Sequence, residues 1–77
     1  MNNKQRVLAI LNSVKPTNKN WEINDIIDGG YIDSFELMHL ISSLCEDFGV
    51  KIEVDDIIPE NFNSVDSIVN MIQRLTN

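Results

Sequence analysis

The stretch Asp33-Ser34-Phe35-Glu36-Leu37-Met38-His39-Leu40-Ile41-Ser42-Ser43-Leu44-Cys45-Glu46-Asp47-Phe48-Gly49 reads as a complete helix with both of its ends. Asp33 is a favoured N-cap, and Glu36 three residues later supplies the returning half of a capping box. Gly49 suits the left-handed position that ends a helix after Phe48. At about 100° per residue, Leu37, Leu40, Ile41, Leu44 and Phe48 fall in one arc, the face expected to enter a core. Glu36, His39, Ser43, Glu46 and Asp47 lie opposite and are expected in water. A third sector holds Ser34, Phe35, Met38, Ser42 and Cys45. It is semi-apolar and flanks the core, so Met38 and Cys45 are expected at the core margin, with the Ser34 hydroxyl at the N-terminal end.

Upstream, Val7, Leu8, Ile10, Leu11 and Val14 recur at three- and four-residue steps, predicting a helix over Asn3 to Val14. Pro16 and Thr17-Asn18-Lys19-Asn20 end it. The connection to Asp33 is long and carries Trp21, Ile23, Ile26, Ile27, Tyr31 and Ile32, too apolar for a free linker. It is expected to pack on the core, with Trp21 as its anchor and a short helical turn near Ile23–Ile27. Downstream, Val50–Val54 alternates like a strand but has no partner, which predicts an extended linker. Asp55-Asp56-Ile57-Ile58 is read as a helical turn before Pro59. Asn63 or Ser64 caps a last helix striped by Val65, Ile68, Val69, Ile72 and Leu75. The fold expected is all-α: a four-helix bundle of three longer helices and a short third one, with a long loop between the first and second.

Composition bounds the function. The chain has 77 residues, 12 acidic against 6 basic, for a formal charge of −6. That length permits one domain, residues 1–77, with little room for a catalytic cleft. The acidity excludes nucleic acid as a partner, because phosphate binding needs clustered Lys and Arg. A basic protein partner is favoured, or the charge simply keeps a small protein soluble. Cys45 is the single cysteine, so neither an intrachain disulfide nor a Cys-based zinc site is expected. Asp55-Asp56 lacks the ligand spacing of a calcium loop, and no metal site is expected. No apolar run approaches the roughly 18 residues of a membrane span, and no secretory leader is visible. A cytoplasmic monomer is the reading.

Ser34 is not placed for catalysis of its own. His39 lies five residues on and about 140° around the helix, and Glu36 about 200° around, so neither can take the Ser34 proton. No catalytic residue is assigned. What remains is a hydroxyl at a helix start, open to an enzyme that brings its own base, where free N–H groups also favour a phosphate. The plainer alternative is that Asp33-Ser34 is a helix cap and nothing more.

Gly30-Tyr31-Ile32-Asp33-Ser34-Phe35-Glu36 resembles the Asp-Ser-Leu signature of acyl and peptidyl carrier proteins. The likeness extends over residues 4 to 75: a first helix, a long loop, the serine-led helix, a short third element, and Phe62-Asn63-Ser64-Val65 opening the last helix. It implies that Ser34 receives 4′-phosphopantetheine from coenzyme A through a Mg²⁺-dependent phosphopantetheinyl transferase. The arm's thiol would then carry acyl or aminoacyl groups as thioesters between a loading ligase and a downstream synthase or transferase. Asp33 would cap the helix and help the transferase recognise the site. Phe35, Glu36, Met38, Ser42, Glu46 and Asp47 are the candidate partner-contacting residues. Phe35 stands where leucine is commonest, His39 where fatty-acid carriers usually show glutamate, and Ser42-Ser43 where an acidic run is common. The Gly-Gly-Tyr-Ile-Asp-Ser lead-in looks more like stand-alone aminoacyl carriers, such as the D-alanyl carrier proteins. A specialised pathway is therefore expected ahead of housekeeping fatty-acid synthesis. The alternative from another class is an unmodified helical interaction module.

Overall fold

The computed structural model describes residues 2–17 and 20–76. Its helices are α1 (Asn3–Val14), α2 (Ser34–Phe48), α3 (Pro59–Phe62) and α4 (Val65–Thr76), with a 3₁₀ turn at Val54–Asp56. No strand occurs among the described residues, so the four-helix bundle stands as expected.

Local chemistry sets the ends of the two long N-terminal helices. Asn2 caps α1 by a reciprocal box, its Oδ1 accepting from Gln5 N at 2.8 Å while Gln5 Oε1 accepts from Asn2 N at 3.2 Å. Asp33 and Glu36 do the same for α2, both bonds 2.8 Å. Gly49 closes α2 in the left-handed region at φ +65°.

Helices α1 and α2 run antiparallel, with an ion pair between them at each end. Near the start of α1, Arg6 donates from Nε to Asp47 Oδ2 at 3.0 Å and from a terminal nitrogen to the Asp47 carbonyl at 2.7 Å. Its guanidinium also lies 4.0 Å from the centre of the Phe48 ring. It thereby supplies a positive charge at the C-terminal end of α2, where the helix dipole and Asp47 are both negative. At the other end, Lys15 reaches the first turn of α2, its Nζ 3.4 Å from Glu36 Oε1.

The core gathers Val7 and Leu11 from α1, Leu40 and Leu44 from α2, Phe62 from α3, and Val65, Ile68, Met71 and Ile72 from α4. Val69 and Leu75, expected on the α4 stripe, are only half-buried, whereas Met71 is 0% exposed. The reason is that α4 packs against α1 and α3 together, which buries a wider arc than a single stripe.

The connection from α1 to α2 packs as its composition predicts, but its turn is elsewhere. Trp21 is buried, and its Nε1 donates to Asn12 Oδ1 at 3.0 Å. The single helical turn expected near residues 23–27 lies two residues later, closed by Gly29 N to Asp25 O at 2.6 Å. The chain reverses over 26–30, through Gly30 N to Ile27 O at 3.1 Å and Tyr31 N to Ile26 O at 3.0 Å. The Gly-Gly pair explains the position. A Cβ on Gly29 would lie 2.6 Å from the Asp25 carbonyl, and Gly30 sits at φ +73°.

Asn63 holds this turn. Its Oδ1 accepts from Ile27 N and Asp28 N, both at 3.0 Å. Its Nδ2 donates to Asp28 Oδ2 at 2.9 Å, and its carbonyl accepts from Ile26 N at 2.9 Å. Ser64, not Asn63, caps α4, with Oγ accepting from Ser67 N at 3.0 Å. Residues 50–53 form neither helix nor strand, with Glu53 extended, whereas Val54, expected to end the extended linker, opens the 3₁₀ turn. The helical turn expected at residues 55–58 is replaced by the 3₁₀ turn, and α3 begins after it. Pro59 is the cause: it suits the first position of a helix, and it holds Ile58 in extended backbone.

Two stability outcomes follow from these contacts. Asn63→Ala is expected to lower unfolding free energy by about 2 kcal/mol in urea titration, because two loop amides and an acceptor lose their partner. The exchange Asp28→Asn with Asn63→Asp keeps the same donors and acceptors and should recover most of that loss. Arg6→Ala is expected to cost about 1 kcal/mol by the same titration, since the pair is half-exposed and the ring contact adds to it.

Candidate functional site

The candidate site is the head of α2. Asp33 is extended at φ −95°, ψ −174°, and its carboxylate is engaged with the Glu36 amide. The Asp33 carbonyl accepts from Leu37 N at 2.8 Å, the first bond of the helix. Ser34 is therefore the first helical residue, on a backbone held rigid from both sides. Its side chain is exposed, and no described residue hydrogen-bonds its hydroxyl. The amides of Ser34 and Phe35 likewise have no acceptor among the described residues, as the first turn of a helix dictates. His39, also exposed, points from a different sector of α2.

The flanking residues divide into three kinds. Phe35 is 87% exposed and Met38 65%, so Met38 stands in solvent rather than at the core margin. Ser42 and Glu46 are also exposed, and Cys45 is half-buried. Glu36 and Asp47 depart from the fully solvated state expected of them. The Glu36 side chain is 24% exposed, accepting from Asp33 N and paired with Lys15. Asp47 is held by Arg6 at the far end of α2, about 20 Å from Ser34 at 1.5 Å per residue. The six candidates thus do not form one patch of equal availability. Phe35, Met38 and Ser42 present side chains free of internal pairing, while two of the three acids are already paired within the fold.

A cleft of about 230 Å³ lies between α2, α3 and the loop, lined by Ile27, Leu37, Ile57, Ile58, Pro59 and Phe62. Leu37 is one turn from Ser34, which places the cleft beside the site. Nothing in the sequence reading included it. The signal was Ile57-Ile58 ahead of Pro59, two apolar residues left partly exposed at 36% and 41%, of which the proline keeps Ile58 extended while Ile57 ends the 3₁₀ turn.

Residues 24–72 match the family described as phosphopantetheine attachment site. No curated protein matches the chain. The match begins in the packed loop and runs through α2 and α3 into α4, well over half of the chain. Members of this family hold 4′-phosphopantetheine covalently. The head of α2 fits such a group: an exposed hydroxyl can join a phosphate, beside two unpaired amides on the positive end of a helix dipole. The chain belongs to the phosphopantetheine attachment family, that of the acyl and peptidyl carrier proteins.

Proposed function

We propose that Ser34 is the residue that takes the 4′-phosphopantetheine arm. The holo protein then carries acyl or aminoacyl groups as thioesters on the arm's thiol and delivers them to partner enzymes of a specialised pathway. The observation that carries this reading is the Ser34 hydroxyl: exposed, without an internal partner, on the first residue of a doubly capped helix. In the modification, Ser34 Oγ forms a bond to the phosphorus that bears pantetheine as the pyrophosphate bond of coenzyme A breaks. The nucleotide half leaves with the electron pair, and the hydroxyl proton passes to a base of the transferase. Asp33 contributes by holding the helix start in place and by marking it for the transferase. The chain itself supplies no chemistry to the cargo; tethering raises the cargo's effective concentration at each partner.

Phe35 and Met38 are proposed as the main partner contacts, with Ser42 beside them and Glu46 as the acid that no described residue pairs with. Glu36 and Asp47 contribute charge only as far as Lys15 and Arg6 leave it unscreened. This weakly acidic, apolar face, with His39 and Ser42-Ser43 in place of acids, supports a specialised role over fatty-acid synthesis. The apolar cleft beside Leu37 favours an acyl cargo over a charged aminoacyl one.

Intact mass after incubation with coenzyme A and a promiscuous transferase tests the attachment. Wild type is expected to gain one phosphopantetheinyl group and Ser34→Ala none; no gain on wild type, or an equal gain on the variant, overturns the assignment. For the contact face, Phe35→Ala with Met38→Ala is expected to lower the transferase's kcat/KM about tenfold. The thermal midpoint should stay near wild type, since both side chains are exposed. Radiolabelled loading with fatty acids and amino acids then identifies the cargo class.

A further inference from the structure

The first turn of α2 already holds two carboxylates, Asp33 and Glu36, each fixed by a backbone amide at 2.8 Å. The helix dipole favours both. A phosphodiester on Ser34 adds a third anion within the same turn, and like charges so close repel one another. One described cation is placed to offset it. Lys15, the residue after α1, brings its Nζ to 3.4 Å from Glu36 Oε1, which in turn accepts from Asp33 N. Following that bond and one residue of backbone puts the ammonium within roughly 10 Å of the Ser34 amide.

Two details show that this ammonium is available. A separation of 3.4 Å is long for a charge-assisted bond, so Lys15 is loosely held by Glu36. Its side chain is 41% exposed on a flexible four-carbon stem, whereas Glu36 is anchored by the capping box. The other described cations are engaged elsewhere: Lys4 with Asp66, Arg6 with Asp47, Lys51 with Glu53, and Arg74 with the Asn61 side chain.

We infer, resting on the assignment of the arm to Ser34, that Lys15 is a binding residue for the arm's phosphodiester. It swings from Glu36 towards the phosphate, or bridges the two, and neutralises the charge that modification adds to the head of α2. In the apo protein Lys15 serves only an ordinary half-exposed ion pair, worth little. In the holo protein it balances three anions in one turn. The holo form therefore depends on Lys15 more than the apo form does.

The test compares wild type, Lys15→Gln and Lys15→Arg as apo and holo proteins, each state verified by intact mass, with thermal midpoints read at low salt. Lys15→Gln is expected to lower the holo midpoint by about 4 °C more than the apo midpoint. Lys15→Arg, which keeps the charge, should follow wild type in both forms. The extra holo loss should largely vanish at about 1 M salt, where screening reaches in to roughly 3 Å. Equal shifts of apo and holo Lys15→Gln in a protein that does gain the arm overturn the role of Lys15 alone. A wild type that gains no mass overturns the Ser34 assignment, and this inference with it.

Discussion

The structure depends most on a single residue, through both its side-chain amide and its backbone carbonyl. Asn63, between α3 and α4, closes hydrogen bonds with three consecutive residues of the loop that joins α1 to α2: it meets the amides of Ile26, Ile27 and Asp28 and the carboxylate of Asp28. A loop of that length would otherwise leave its backbone groups to water and its entropy unreduced. Once Asn63 holds residues 26–28, Gly29 and Gly30 can reverse the chain. Ile32 is then drawn into the core at 5% exposure, and Asp33 arrives where it caps α2. The loop that leads to Ser34 is thus fixed from the junction of α3 and α4, and the same clamp sets Ile27 as one wall of the apolar cleft.

Charge is distributed in a way that the net −6 conceals. The two ion pairs that join α1 to α2 each take an acid from the serine-led helix, Glu36 at its head and Asp47 at its tail. Each also occupies a carboxylate of the face proposed to meet partners. Arg6 holds the antiparallel pair at one end while Lys15 only loosely joins the other, and the face left open is led by Phe35 and Met38 rather than by carboxylates. On the face proposed for partner contact, recognition would then rest on apolar contact as well as on charge.

Most of the scaffold was legible in the sequence, because its signals are local. The capping pairs Asp33–Glu36 and the Gly49 stop act within a turn of the chain, and the bounds of α1 and α2 follow from them. The serine at the head of α2 was visible for the same reason. The departures each have a longer range. Met71 is buried because α4 meets two partners at once, and α3 starts at Pro59 because that proline suits a first helical turn once the preceding segment is held extended. Met38 is exposed because no described residue covers it, whereas Cys45, further along the same sector, is half-buried.

By itself the sequence determined an all-α chain, the caps and ends of its two long N-terminal helices, and a lone hydroxyl at a helix start without a base. Those are properties of residues within about one helical turn of each other, where rotation of 100° per residue is enough to reason with. Only the tertiary structure decided that Asn63 is a clamp rather than a cap, that Lys15 and Arg6 neutralise acids on α2, and that Ile27, Leu37 and Phe62 enclose a cleft beside the serine. These pairings join residues far apart in the chain. Which distant groups meet depends on how the helices pack, and no local periodicity encodes that.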